Sequence, residues 1–393
     1  MIEAHSRKFW LATWALCLGS VLVFANLHMT QPLLPLLAQH FQLTELQASW
    51  SLTTALLTLG LSLLIYGPLS DAIGRKPLMV LSLMGAVAST LALSQVESYS
   101  MLIVWRGVQG FCLGGLPAIA IAYMGDEFTR KAVALAVGFY ISANSIGGVS
   151  GRLISGWVGE HYGWDTTFAV MAAIGLALLV LFVFLLPASQ QFKAKPLQLK
   201  QVLSDIRFHL KNPILLVAFL IAGGNFMMFI HQYSYITFVL ATEPYHLSTH
   251  QLGMLFLTYL TGSIAAALSG HSTKYIAPAL GMGLGIVLLM LGSLLTLMPH
   301  LGVIIFAFML NSFGFFLTHS LASSWVSHHA LRARASASSL YLVFYYLGAS
   351  LGGLVLSPFW NYAGWLGIVL GSLVMYSLTL WGSVWLYQRD ASA

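Results

Sequence analysis

Gly67-Pro68-Leu69-Ser70-Asp71-Ala72-Ile73-Gly74-Arg75-Lys76-Pro77 is a short polar loop between two long apolar runs, 46–66 and 77–96, that carry no charge at all. Within it fall one acid, two bases, two glycines and two prolines. A loop this polar cannot enter hydrocarbon, so it fixes one end of each flanking run and the side of a membrane they share.

Composition says the same of the whole chain. Charged residues make up 7% of the 393, hydrophobic ones 58%, and the mean hydropathy is +0.84. A soluble domain needs about a quarter charged residues to cover its wet surface. Measured against the ~20 apolar residues that cross a bilayer, the sequence breaks into twelve spans. They run roughly 9–38, 46–66, 77–96, 99–124, 131–158, 164–187, 213–240, 249–270, 275–298, 301–326, 334–359 and 363–387. The basic start at Arg7 and Lys8 followed by an apolar run has the look of a signal peptide. The run continues too far, however, and is expected to stay as the first helix. Cys17 and Cys112 lie inside apolar runs and suggest neither a disulfide nor a metal site. No cofactor is expected.

Fifteen of the 17 Lys and Arg fall in loops on one side of this even-numbered bundle, including Arg130, Lys131, Lys193, Lys195, Lys200, Arg207, Lys211, Lys274, Arg332, Arg334 and Arg389. The opposite loops hold Glu45, Glu97, Glu160, Asp165 and Glu243 and no base. By the positive-inside rule both termini are cytoplasmic. The bases therefore read as a topology signal and not as a nucleic-acid surface, despite a pI of about 9.3.

The segment 188–212 is the one long polar linker. Leu199, Val202, Leu203, Ile206 and Leu210 recur in it at helical spacing among Lys200, Arg207 and Lys211. Two readings stand: an interfacial amphipathic helix on anionic lipid, or a plain tether. The linker divides the chain into bundles 1–187 and 213–393. A shift of 201 lays Gly147 on Gly348, Gly151 on Gly352, and Gly163-Trp164 on Gly364-Trp365. The expected fold class is thus an all-α integral membrane protein, twelve transmembrane helices in two pseudo-symmetric six-helix bundles.

The two remaining bases, Arg106 and Arg152, lie inside the fourth and fifth spans, each roughly 10 Å below the outer surface. An intramembrane arginine faces a cavity or finds a partner. One reading has both lining a central cavity, where they meet an anionic group or tune a neighbour. The other has them bonding helix-end carbonyls or snorkelling outward. Polar residues gather mid-span at Asn26, His28, Thr30 and Gln31 of the first helix and at Asn225, His231 and Gln232 of the seventh. Such paired interruptions mark a midplane substrate site, with helix–helix hydrogen bonding as the alternative for each residue. Asn311, Thr318 and His319 are candidates to join it, with Tyr140, Phe226, Tyr345 and Tyr346 as an apolar wall. No Asp or Glu lies mid-span, which leaves His28, His231, His319 and the loop carboxylate Asp71 as possible proton carriers and favours an anionic or neutral polar substrate over a lipophilic cation. No nucleophile–base or metal constellation is present, so no enzymatic activity is expected.

Gly67, Leu69, Asp71, Gly74, Arg75 and Lys76 resemble the G-x-L-x-D-x-x-G-R-[KR] loop of major facilitator superfamily transporters, with Ala72 where a base is usual. Arg106-Gly107-Val108-Gln109-Gly110 resembles the R-x-x-Q-G motif of that family's fourth helix. Gly138, Gly147, Gly151 and Ser155-Gly156 resemble the glycine-rich fifth-helix motif of its drug:proton antiporter branch, with Arg152 in place of a proline. The resemblance implies a proton-coupled, alternating-access exporter of a small organic molecule in a bacterial inner membrane, monomeric, with substrate and bilayer as its only partners. It gives Arg106, beside Gln109, a part in proton coupling, Asp71 a latch role at the inner end of the eleventh helix (the other reading being a surface pair with Arg75), and Gly67, Gly74, Arg75, Gly138, Gly147 and Gly151 roles in conformational change. A uniporter or importer of a sugar-like or anionic metabolite, or a non-transporting sensor, are the other readings.

Overall fold

The computed structural model describes residues 1–192, 194, 196 and 199–390. Helices account for nearly all of it, and the only β pairing among the described residues is a single bridge between Ile2 and Phe128. Lys193 and Lys195, two of the bases assigned to the linker, lie outside the described residues. Among the described residues, eleven helical segments are long and apolar enough to cross a membrane, counting 99–127 and 249–272 as one each. The last, Arg334–Asp390, has non-helical backbone at Ala363 and Gly364. At 1.5 Å per residue it would be nearly three times as long as a ~30 Å hydrocarbon core, so that break makes it two spans and the traverses twelve. This is a multi-pass membrane protein. Phe184 is 82% exposed, Trp381 69% and Leu81 64%, a lipid-facing surface that water would not tolerate.

Contacts group the chain into two units, 1–198 with 248–254, and 199–247 with 255–393. The first unit contains α1 (Arg7–His28), α2 (Leu34–Phe41), α3 (Glu45–Ile73), α4 (Arg75–Leu93), α5 (Tyr99–Leu113), α6 (Gly115–Glu127), α7 (Arg130–Tyr162) and α8 (Trp164–Leu185). In it α1 packs on α7 and α8, and α5 packs on α3 and α4. The second unit contains α9 (Leu199–Leu210), α10 (Pro213–Ala241), α12 (Tyr259–Ser272), α13 (Pro278–Leu295), α14 (Leu301–His329) and α15 (Arg334–Asp390), while the short α11 (Thr249–Met254) packs on α7. Here α10 packs along α15, and α13 packs on α14. Arg332, between α14 and α15, stacks over Phe208 of α9 at 3.8 Å and lies 3.9 Å from Asp205 of the same helix.

Lipid tails are as apolar as leucine, so helices associate through close backbone approach and not through expulsion of water. The repeat glycines supply that approach in both units. A Cβ at Gly147 would sit 2.7 Å from the Val21 Cα, and one at Gly151 2.5 Å from the Ala25 Cα, so α7 lies directly on the α1 backbone. Gly348 does the same in the second unit, where a Cβ would lie 2.6 Å from the Gly223 Cα of α10. Gly163 (φ 91°) and Gly364 (φ 54°), also related by the repeat, both turn the chain in the left-handed region. Gly138 differs: nothing lies within 4 Å of a Cβ placed there, nor at Gly67.

The first span departs from the expected uninterrupted 9–38. The helix stops at His28 and resumes at Leu34, with a turn between. Pro32 has no N–H to give His28, whose carbonyl is instead taken by the Gln31 N–H at 3.1 Å. The carbonyls of Asn26 and Leu27 are thereby left without helical partners, deep in the bundle.

Candidate functional site

Arg106 answers those carbonyls. It is fully buried. Its Nη1 donates to the Asn26 carbonyl (3.0 Å), Nη2 to the Leu27 carbonyl (2.8 Å) and Nε to the Ser51 carbonyl (2.5 Å). Nη1 also donates to Gln109 Oε1. The guanidinium thus ties α5 to α3 and to the negative end of the broken α1 dipole, where a cation is favoured. Behind it Gln109 Nε2 donates to Thr90 Oγ1 (2.6 Å), and Thr90 Oγ1 donates to Asn26 Oδ1 (3.0 Å). Asn26, Thr90, Arg106 and Gln109 form one network across α1, α4 and α5.

Arg152 is also fully buried but is held differently. Its Nε donates to Gln31 Oε1 at 2.7 Å and its Nη1 to the Gly148 carbonyl at 2.9 Å. A Cβ at Gly148 would be 3.3 Å from that Nη1 and 3.7 Å from His28 Cδ2, so both side chains lie over the Gly148 backbone. His28 is 8% exposed. Its Nδ1 has no hydrogen-bond partner among the described residues, nor has Thr30 Oγ1. The α1 break thus places His28 and Gln31 against Arg152 on α7. The two intramembrane arginines, alike in the sequence, do unlike things: Arg106 meets mostly main-chain carbonyls of other helices, Arg152 a side-chain amide and a carbonyl of its own helix.

In the second unit the polar residues of α10 spread out. His231 Nε2 is 2.9 Å from the Ala349 carbonyl of α15, and Gly352 leaves no room for a Cβ beneath its ring. Gln232 turns the other way, with Nε2 donating to Ser293 Oγ (2.8 Å) and Oε1 accepting from Asn311 Nδ2 (3.1 Å). The Tyr233 hydroxyl donates to the Phe308 carbonyl (3.1 Å) and lies 2.6 Å from Thr258 Oγ1 and 2.8 Å from Ser312 Oγ. Asn225 Oδ1 accepts from Thr379 (2.7 Å), while its Nδ2 is buried with no partner among the described residues. Thr318 bonds the Met282 carbonyl (3.1 Å), and His319 Nδ1 is 3.0 Å from the Tyr341 hydroxyl. Phe226 stacks on Tyr345 at 3.8 Å, and Phe229 on Phe315 at 4.0 Å. Tyr140 and Tyr346 are buried in their own units.

The opening stretch is ordered but is not the loop its polarity suggested: α3 runs on through 67–73 with Pro68 inside it, and α4 begins at Arg75. Gly74, at φ 122°, ends α3 and starts α4 in one residue, a conformation closed to most side chains. Arg75 Nη2 is 2.6 Å from Asp71 Oδ1 and Nε is 3.0 Å from Asp126 Oδ2, while Nη1 donates to Ser70 Oγ at 2.6 Å. Lys76 Nζ donates to the Val183 (3.1 Å) and Leu186 (2.5 Å) carbonyls, closing the end of α8.

Thr90, Ser51, Ser293 and Thr258 escape a reading by charge, because hydroxyl residues are common in spans. The repeat contains the signal. Gln109 and Asn311 stand 202 apart and Thr90 and Ser293 203 apart, so corresponding helices carry corresponding polar groups.

Residues 16–353 match the family model of the Major Facilitator Superfamily. The chain belongs to that superfamily. It is 36% identical over 399 residues to the inner membrane transport protein YnfM of Escherichia coli, covering 99% of this chain and 93% of that one. It is also 36% identical over 390 residues to the uncharacterized MFS-type transporter YybF of Bacillus subtilis, covering 98% and 95%. A bacterial homologue of the lysosomal transporter Spinster, solved in an inward-facing, unoccupied state, has the same fold, with a TM-score of 0.75 over 98% of this chain and 99% of that one at 15% identity. As a member of this superfamily the protein is a membrane transporter.

Proposed function

We propose that this protein exports a small organic molecule across a bacterial inner membrane in exchange for protons, by alternating access. The observation that carries this reading is the break in α1 at 29–33, which sets His28 and Gln31 against the buried Arg152 inside the membrane-spanning region. A guanidinium held by an amide is able to exchange that amide for a carboxylate, phosphate or other acceptor on a substrate. Arg106 takes the positioning part, holding the broken helix end on which His28 stands. His28, with its Nδ1 uncommitted among the described residues, is the proton carrier of this scheme, and His231 and Asn225 the second unit's contributions. Asp71 acts as a latch that gives up Arg75 in the alternate state. The linker 188–212 joins bundles 1–187 and 213–393, both termini stay in the cytoplasm, and the protein works as a monomer. The name of the Escherichia coli relative supports the inner-membrane location.

Proteoliposomes with an imposed pH gradient test it, challenged with organic carboxylates, sugars and amphipathic amines. The reading expects gradient-dependent flux of a carboxylate or neutral polar compound, abolished by Arg152→Gln. Flux that ignores the gradient removes the proton coupling, and flux confined to the amines removes the assigned role of Arg152.

A further inference from the structure

We propose that the first unit holds one anionic phospholipid in a built site at the start of α1, on the base-rich side of the membrane. Two cavities meet there. One, of about 400 Å³, is lined by Arg7, Trp10, Leu11, Trp14, Leu18 and Leu185, with apolar surface below the arginine. The other, of about 310 Å³, is lined by Glu3, Ser6, Arg7, Lys8, Gln190 and Gln191 among others. Arg7 borders both.

The apolar groove has the dimensions of a lipid tail. Positions 7, 10, 11, 14 and 18 form one stripe of the helix. The eleven rises from position 7 to 18, at 1.5 Å each, span roughly 16 Å, about half of a ~30 Å hydrocarbon core and so one leaflet. Trp14, 55% exposed, forms an open wall of it.

The polar cleft is held in shape by hydrogen bonds. The Ile2 N–H donates to the Glu127 carbonyl (2.7 Å) and the Thr129 N–H to the Ile2 carbonyl (3.0 Å), pinning the chain ahead of α1 to the loop after α6. Ser6 Oγ caps α1 by accepting from the Phe9 N–H at 3.1 Å. Glu127 is buried, and its carboxylate accepts the Gln191 N–H at 2.9 Å. Arg7 and Lys8 are exposed, and neither pairs with a carboxylate among the described residues. They occupy the first turn of a helix, where the dipole already disfavours cations. Glu3 and Glu127 also line the cleft, but Glu127 is buried against the Gln191 N–H and neither acid pairs with Arg7 or Lys8 among the described residues, so the two exposed bases are left to meet one phosphodiester at the mouth of the groove. A diacyl lipid with an anionic headgroup satisfies both cavities at once, which a soluble anion does not.

Native mass spectrometry of the full chain, released from detergent with added phosphatidylglycerol, phosphatidylethanolamine or phosphatidylcholine, tests the site. Phosphatidylglycerol is expected to be retained selectively. Arg7→Gln/Lys8→Gln should cut that retention roughly tenfold or more, and Leu185→Trp, which fills the groove and spares the bases, should cut it too. Arg130→Gln/Lys131→Gln, the same charge change in another loop, should leave it intact, and glycerol 3-phosphate should not compete. The proposal is overturned if the zwitterionic lipids are held as well as phosphatidylglycerol, if Arg7→Gln/Lys8→Gln retains it, or if the control pair loses it equally.

Discussion

The two units tie the same three helices together with different chemistry. In the first, Asn26, Thr90 and Gln109 link α1, α4 and α5; in the second, Gln232, Ser293 and Asn311 link α10, α13 and α14. Beside each triad sits one side chain that reaches further. It is Arg106 in the first unit, gathering three carbonyls, and Tyr233 in the second, meeting two hydroxyls and the Phe308 carbonyl. Phe308 stands 202 residues after Arg106, at the place the arginine would have by repeat. One half therefore keeps its clasp with a buried charge and the other with a neutral phenol. The charge goes where α1 is broken and α10 is not, because only a broken helix end offers free carbonyls enough to satisfy a guanidinium. Arg106 is thus the counterpart of a structural tyrosine, and Arg152, bonded to the Gln31 amide and the Gly148 carbonyl beside His28, is the one we propose meets the substrate.

That comparison breaks first at the glycines both units share. Gly147→Leu and Gly348→Leu should each abolish folded protein in mild detergent, since a side chain at either site meets backbone of the facing helix; size-exclusion profiles of the two variants check this. Arg106→Ala comes next. It strands the Asn26 and Leu27 carbonyls in a low-dielectric interior, a loss on the order of 3 kcal/mol. Tyr233→Phe removes one hydroxyl and should cost about 1 kcal/mol. Apparent melting temperatures of the pair sharpen the contrast, and a larger drop for Tyr233→Phe would erase it. Asn311→Ala should cost roughly 0.6 kcal/mol, the usual scale of an interhelical hydrogen bond in a membrane. Gly138→Ala, facing open space, should lie within about 0.5 kcal/mol of wild type by the same measurement.

Much of the fold was legible because membrane physics writes it in one dimension. Span length, base placement and the 201-residue repeat gave the twelve traverses, and the Gly163 and Gly364 turns fell where the repeat aligned them. The site was less legible. Successive helix residues point about 100° apart, so the run His231-Gln232-Tyr233, compact in sequence, splits toward α15, toward α13 and α14, and toward Thr258 and α14. Nor does charge alone separate Arg106 from Arg152. What separates them is whether free carbonyls stand opposite, and that follows from the turn ahead of Pro32, whose effect on another helix no local pattern carries.

Arg106→Gln and Arg152→Gln, compared for thermal stability and for gradient-driven flux in the same proteoliposomes, test this division of labour most directly. Arg106→Gln should lower the melting temperature markedly. Arg152→Gln should melt near wild type and carry no flux. An Arg152→Gln protein that transports normally, or an Arg106→Gln protein as stable as wild type, would contradict it.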